Sequence, residues 1–119
     1  MTQAELEKKI GEATINETGL PSISLLNEIA SRTDDTEECK IISKNCIKLL
    51  TIKSKFWKRI LRSLALIEHI LKTGSPNFVD QIKDERDKIK ELFEFKYKEE
   101  DKDRGEPSKI ILKIIIIYF

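Results

Sequence analysis

Apolar positions recur along this chain at helical spacing, in short runs divided by polar joints. Leu6, Ile10 and Ala13 share one stripe, which predicts a helix over residues 3–14. The segment INETGLPS (15–22) interrupts it with Gly19 and Pro21. Pro21 and Ser22 then open a second helix carrying Ile23, Leu25, Leu26, Ile29 and Ala30. SRTDDTEE (31–38) is a polar joint in which Asp34, Asp35 or Thr36 is the next N-cap. A third helix is expected from about 37 to 52, with Ile41, Ile42, Cys46, Leu49 and Leu50 as its apolar members. Ser54 is the candidate cap of a fourth helix, and Gly74 ends that helix at the C′ position. SPNFVDQIKDERDKIKELFEF (75–95) reads as two shorter helices or one bent one. A charged loop (96–108) follows, and Pro107 opens a last apolar helix, SKIILKIIIIYF. β-branched alternation is scarce. The expected fold class is all-α: a right-handed solenoid, or superhelix, of about six or seven stacked helices forming one domain over residues 1–119.

The fourth helix is the most informative. At about 100° per residue, Trp57, Ile60, Leu61, Leu64, Ile67 and Leu71 gather on one face. Lys58, Arg62, His69 and Lys72 gather opposite, and Arg59 lies at the edge. The apolar arc is wide, so neighbours should pack on more than one side. Burial is expected for Trp57, Leu61, Leu64, Ile67 and Leu71, with Leu25, Leu26, Ile29, Ile42 and Leu92 around them. Glu68 falls inside the arc, where a carboxylate needs a partner; a buried polar clip between helices outweighs a catalytic role. His69 reads as a surface residue. The helix start is basic, with Lys53, Lys55, Lys58 and Arg59 close together. Cations there oppose the helix macrodipole, which leaves two readings: a solvated charged end, or cations retained to meet an anion.

Composition narrows the function classes. Apolar residues make up 39% and charged residues 36% of 119, with net charge +1. An electropositive surface must therefore come from local clustering, and nucleic acid is not favoured. The polar N-terminus lacks the apolar region of a signal peptide. The final apolar run is too short to cross a bilayer. Cys39 and Cys46 lie two turns apart, roughly 10 Å, which is beyond disulfide reach. They are expected as free thiols in a reducing, cytosolic setting. No zinc spacing, phosphate loop, nucleophile elbow or paired-carboxylate signature is present, so neither a cofactor nor a catalytic activity is expected.

Four blocks in order, EATINETGLPSISLLNEIASRT (12–33), FWKRILRSLALIEHILKTGSPNFV (56–79), KIKELFEFKY (88–97) and DKDRG (101–105), resemble the epsin N-terminal homology (ENTH) domain family. The resemblance spans about residues 4–109. It implies an α-helical solenoid without enzymatic activity that binds phosphoinositide head groups and serves clathrin-linked vesicle traffic and endocytosis. It implies a cytoplasmic protein, peripheral on membranes or clathrin-coated vesicles. By position, Asn16 matches the family's loop Asn, Lys55 the Lys two before the Trp, and Arg59 a basic residue two after it. These three are the candidate head-group ligands, with Lys53 and Lys58 as flanking positive charge.

The sequence also departs from the family. Gly11 stands where the family has an Arg before Glu-Ala-Thr, and Leu49 where it has a second pocket Arg. Only eleven residues precede Glu12, too few for the family's extra N-terminal helix. The apolar C-terminal run replaces a mixed-charge helix, and the motif-bearing tail that engages clathrin and adaptors is missing. The expectation is weak, salt-sensitive association with phosphoinositide membranes. The competing reading is a helical protein-interaction domain that recognises a trafficking protein, such as a SNARE, with little lipid affinity. A purely structural helical fragment is a third.

Overall fold

Short polar side chains set the helix starts. The structure, a computed structural model, describes residues 2–17, 19–51, 57–85 and 87, with residue 57 as backbone only. Helix α1 (Gln3–Ala13) begins with a capping box: Thr2 accepts from the Glu5 amide at 3.1 Å, and the Glu5 carboxylate accepts from the Thr2 amide at 3.4 Å. Helix α2 (Ile23–Ser31) is capped by Ser22, which accepts from the Leu25 amide. One turn of 3-10 helix (Arg32–Asp34) follows. Helix α3 (Thr36–Leu50) starts at Asp35, whose carboxylate accepts from the Glu38 amide at 3.0 Å, which resolves the choice among the three candidate caps. Helix α4 covers Trp57–Thr73, and α5 covers Pro76–Lys83 with Ser75 as cap and Pro at its first position.

These elements make an all-α fold. Helix α3 packs against α1, α4 and α5; α2 packs against α1 and α4. The core between them draws on Leu6, Ile10, Ile29, Ile42, Cys46, Leu50, Leu64, Ile67, Ile70, Phe78 and Ile82, each at most 1% exposed. No strand occurs among the described residues. Of the expected burials, Leu64, Ile67, Leu71, Leu26, Ile29 and Ile42 are buried, while Leu61 and Leu25 are half-buried. The Ser54 cap, the Trp57 side chain, Leu92 and the helices placed beyond residue 87 lie outside the described residues.

Two local expectations need correction. Arg62, assigned to the polar side of α4, is buried, because α2 and the end of α1 cover that side as well. The partner of half-buried Glu68 among the described residues is Lys72, 2.8 Å away on the same helix, rather than a group on a second helix. His69, read as a surface residue, is half-buried, and its Nε2 lies 2.7 Å from Asn27 Oδ1 of α2.

The turn between α4 and α5 is a close approach. Gly74 does end α4, but without the left-handed backbone expected of a C′ glycine: Gly19 alone has positive φ among the described residues. Glycine is needed at 74 because a Cβ would stand 2.7 Å from the Ile70 carbonyl oxygen and 2.9 Å from Thr33 Oγ1. Across α3 and α5, Ser43 donates to Gln81 Oε1 at 2.6 Å. The two thiols, Cys39 and Cys46, are free and buried, as the spacing implied.

Candidate functional site

A helix leaves its last carbonyls without intrahelical partners, and they carry the negative end of its dipole. At the end of α1 two arginines of α4 meet them. Arg59 Nε donates to Thr14 O at 3.1 Å, and Arg62 Nε donates to Ala13 O at 3.1 Å. Arg62 Nη1 reaches further, to Gly19 O at 3.1 Å. One buried guanidinium thus joins both limbs of the α1–α2 loop to α4. Thr14 closes α1 from inside, its hydroxyl donating to Ile10 O at 2.8 Å.

Beside this clasp, α1, α3 and α4 enclose a cleft of about 300 Å³ whose walls include Glu7, Gly11, Thr14, Lys48, Leu49 and Arg59. The three positions where the resemblance puts pocket cations near α1, α3 and α4, namely Gly11, Leu49 and Arg59, are therefore brought together. Two of them are uncharged here. A Cβ at Gly11 would meet nothing within 4 Å, so the missing side chain leaves open space. Lys48 adds a cation that the sequence reading did not single out. Its signal was present in the sequence: Lys40, Lys44 and Lys48 follow at four-residue intervals and lie exposed along α3. They border a second groove, of about 390 Å³, between α1 and α3. Glu7 tempers the cleft's charge; its carboxylate accepts from Gln3 Nε2 at 3.1 Å.

The three candidate ligands and the two flanking lysines separate as follows. Arg59 lines the cleft, half-buried, with its Nε committed to Thr14 O; its terminal nitrogens make no hydrogen bond among the described residues. Asn16 is exposed on the α1–α2 loop, two residues beyond Thr14, and is not among the cleft's lining residues. Lys58 is half-buried on the first turn of α4. Lys53 and Lys55 lie outside the described residues. Arg62, the residue that holds the loop, was read as solvated because a helical wheel places a residue by angle and cannot foresee a carbonyl arriving from another element.

Nothing in this arrangement resembles a nucleophile with its base. Among the described residues the thiols are the perturbed titratable groups, and burial drives both upward: Cys39 is raised, and Cys46 is pushed up to about 12, with the neighbouring Cys39 adding to the effect. Thiols so shifted are poor nucleophiles. The cleft offers cations, hydrogen-bond donors and space, which is equipment for holding an anion. Among the described residues no helix is long and apolar enough to cross a membrane.

Comparison with known proteins gives a consistent picture. The ENTH domain profile matches residues 3–115. Epsin of Dictyostelium discoideum is 37% identical over 102 residues, covering 85% of this chain and 15% of its own length. Human Epsin-1 is 34% identical over 103 residues, 86% of this chain and 18% of its own. Clathrin interactor EPSIN 1 of Arabidopsis thaliana is 33% identical over 80% of this chain and 17% of its own. The chain thus spans less than a fifth of the length of these relatives. Among solved structures, a triple mutant of the yeast Ent2 ENTH domain superposes with a TM-score of 0.81 at 28% identity, covering 94% of this chain and 86% of that one. The human epsinR ENTH domain gives 0.77 at 25% identity, over 95% and 85%.

Proposed function

The chain belongs to the ENTH domain family, and from that membership together with the cationic cleft we propose that it is a phosphoinositide-binding adaptor module of clathrin-linked vesicle traffic, working peripherally on cytoplasmic membrane surfaces. In this reading residues 1–119 act as one ENTH-like domain. The observation that carries it is that Lys48 and Arg59 line one open cleft beside the α1–α2 loop, with only the Nε of Arg59 hydrogen-bonded among the described residues. A phosphorylated inositol ring is an anion of suitable size for such a space. The terminal nitrogens of Arg59 and the Lys48 ammonium supply charge-assisted hydrogen bonds, each worth about 1.5–3 kcal/mol. Lys53, Lys55 and Lys58 raise the local positive potential, each basic group near an anionic surface adding about 1 kcal/mol. Asn16 serves as a neutral donor from the loop.

Binding is modest in this reading. Gly11 and Leu49 contribute no charge, and Glu7 opposes the anion. Affinity therefore falls steeply as salt rises, because a few partly exposed cations carry it. The same neutral walls favour the second reading, a helical protein-interaction domain with little lipid affinity, in which a trafficking protein such as a SNARE docks on the helices.

Cosedimentation with vesicles containing phosphorylated phosphatidylinositol, at low and at physiological salt, separates the two. The informative variant is Lys48→Glu, since Lys48 is exposed and its loss leaves the fold intact. Arg59→Glu is less clean: it would also set a carboxylate against the Thr14 carbonyl. Binding at low salt that Lys48→Glu and Lys55→Glu reduce supports the lipid reading. Absence of binding at low salt gives the function to the protein-interaction reading.

A further inference from the structure

Three large apolar side chains are exposed among the described residues: Ile15 at 37%, Leu20 at 63% and Ile23 at 64%. All three fall within nine consecutive positions, on the loop between α1 and α2 and the first residue of α2. Scattered singly, exposed apolar residues need no explanation; gathered on one loop, they do.

The loop is also built to hold them in place. Arg62 fixes its leading limb through Ala13 O and its trailing limb through Gly19 O, and Arg59 holds Thr14 O. Pro21 is buried directly after Leu20, and Ser22 caps α2 directly before Ile23. Gly19 supplies the positive φ of 95° that turns the chain toward Leu20. Leu20 and Ile23 therefore stand on either side of a buried anchor.

We propose that this loop is a membrane-inserting prong: Leu20 and Ile23, with Ile15 beside them, enter the interfacial layer of the same anionic lipid surface whose head groups the cleft takes. The inference rests on the lipid reading of the cleft and adds to it a second contact of different chemistry. Continuity supports it. Thr14 is a wall of the cleft and the residue before Ile15, and Arg59 touches both cleft and loop. Apolar side chains next to cations are what a bilayer interface accepts, chain region and head-group layer together. A second copy of the chain is a poorer fit. A stable protein interface takes about 800 Å² and 20–30 residues per partner, whereas lipid accepts side chains one at a time. Glu17, exposed on the leading limb, limits the contact to interfacial depth.

Because both tips are solvent-exposed, they can be changed without touching the core. The test compares the full chain with Leu20→Ser, Ile23→Ser and the double variant on vesicles of phosphatidylcholine, phosphatidylserine and phosphorylated phosphatidylinositol, and with soluble inositol trisphosphate. Each substitution is expected to weaken vesicle binding about tenfold, and the pair about a hundredfold. The melting temperature and inositol trisphosphate binding should stay unchanged. An environment-sensitive dye on Leu20→Cys should shift to the blue on vesicles; the buried Cys39 and Cys46 leave that thiol as the reactive one among the described residues. Vesicle binding equal to that of the parent overturns the prong while leaving the cleft reading intact. Loss of inositol trisphosphate binding in the double variant also overturns it, as would a parent dimer that the double variant splits. If the parent binds neither vesicles nor inositol trisphosphate, prong and cleft reading fall together.

Discussion

The Thr33 hydroxyl accepts the Ser75 amide at 2.8 Å and donates to Ala30 O at 2.6 Å, tying the end of α2 to the start of α5 across 42 positions of sequence. Thr33 is fully buried, and Gly74 passes beside it with no room for a Cβ. Thr33→Val keeps the shape but leaves a buried amide without an acceptor, so urea denaturation should show a loss of about 1–3 kcal/mol. Thr33→Ser should retain most of the stability. Gly74→Ala should cost at least as much as Thr33→Val, because the obstructing atom is the Ile70 carbonyl oxygen and backbone yields less readily than a side chain.

Leu64 lies at the centre of the apolar face of α4 and is fully buried. Leu64→Ala is expected to cost about 2–5 kcal/mol, read from the shift in denaturation midpoint at constant slope. Glu68→Ala, by contrast, removes an ion pair to Lys72 within one helix and should cost less than about 1 kcal/mol. A loss for Glu68→Ala matching that for Leu64→Ala would mean that the carboxylate has a second, interhelical partner.

Gly11→Arg should improve both stability and binding. Glycine inside a helix is less favourable than arginine by somewhat under about 1 kcal/mol, and the position has free space and ordinary backbone. The new guanidinium would sit one turn after Glu7, a favourable i,i+4 pair, and beside Lys48 and Arg59 in the cleft. Thermal melting should rise by a few degrees at most, since the added cation also repels its neighbours. Vesicle cosedimentation should strengthen about tenfold, and the gain should shrink at high salt. Unchanged binding would show that the anion does not enter this cleft.

The thiols make stability depend on alkaline pH. Cys46 is pushed up to about 12 in the folded chain, first by burial and then by Cys39. An unfolded thiol ionises from about pH 9, whereas the folded one keeps its proton. The stabilising contribution of the neutral thiol is thus complete below that pH and is lost as pH rises toward the folded value. Unfolding free energy should decline between those limits, and Cys46→Val should flatten the decline. A disulfide-exchange reagent at neutral pH should react with both thiols only at the rate at which the chain opens.

What the sequence disclosed, and what it withheld, follows from the range of the forces involved. Ser22, Asp35 and Gly74 act within one turn of chain, and the helix limits they predict agree with the structure to within a residue or two. The face carrying Leu64, Ile67 and Leu71 was legible because apolar periodicity encodes burial. Arg62 was misread because its reason for burial is a pair of carbonyls 43 and 49 positions away. Ile23 stood outside the residues expected to be buried, and as the first residue of α2 it is exposed. In the candidate site, Gly11, Leu49 and Arg59 were grouped by resemblance, whereas the four-residue spacing of Lys40, Lys44 and Lys48 marked a basic stripe on α3 without showing that Lys48 borders the same cleft.

The guanidinium that grips Ala13 and Gly19 has an evolutionary corollary. With both ends of the intervening segment held by one side chain of α4, and Thr14 held by Arg59, residues 15–17 carry little responsibility for the alignment of α1 with α2. Closure entropy grows only slowly with loop length, so even an insertion there costs the fold little. Positions 15–17 are thus free to vary at small risk to folding, which makes them the place where relatives of this chain can diverge in the surfaces they recognise while inheriting the same scaffold.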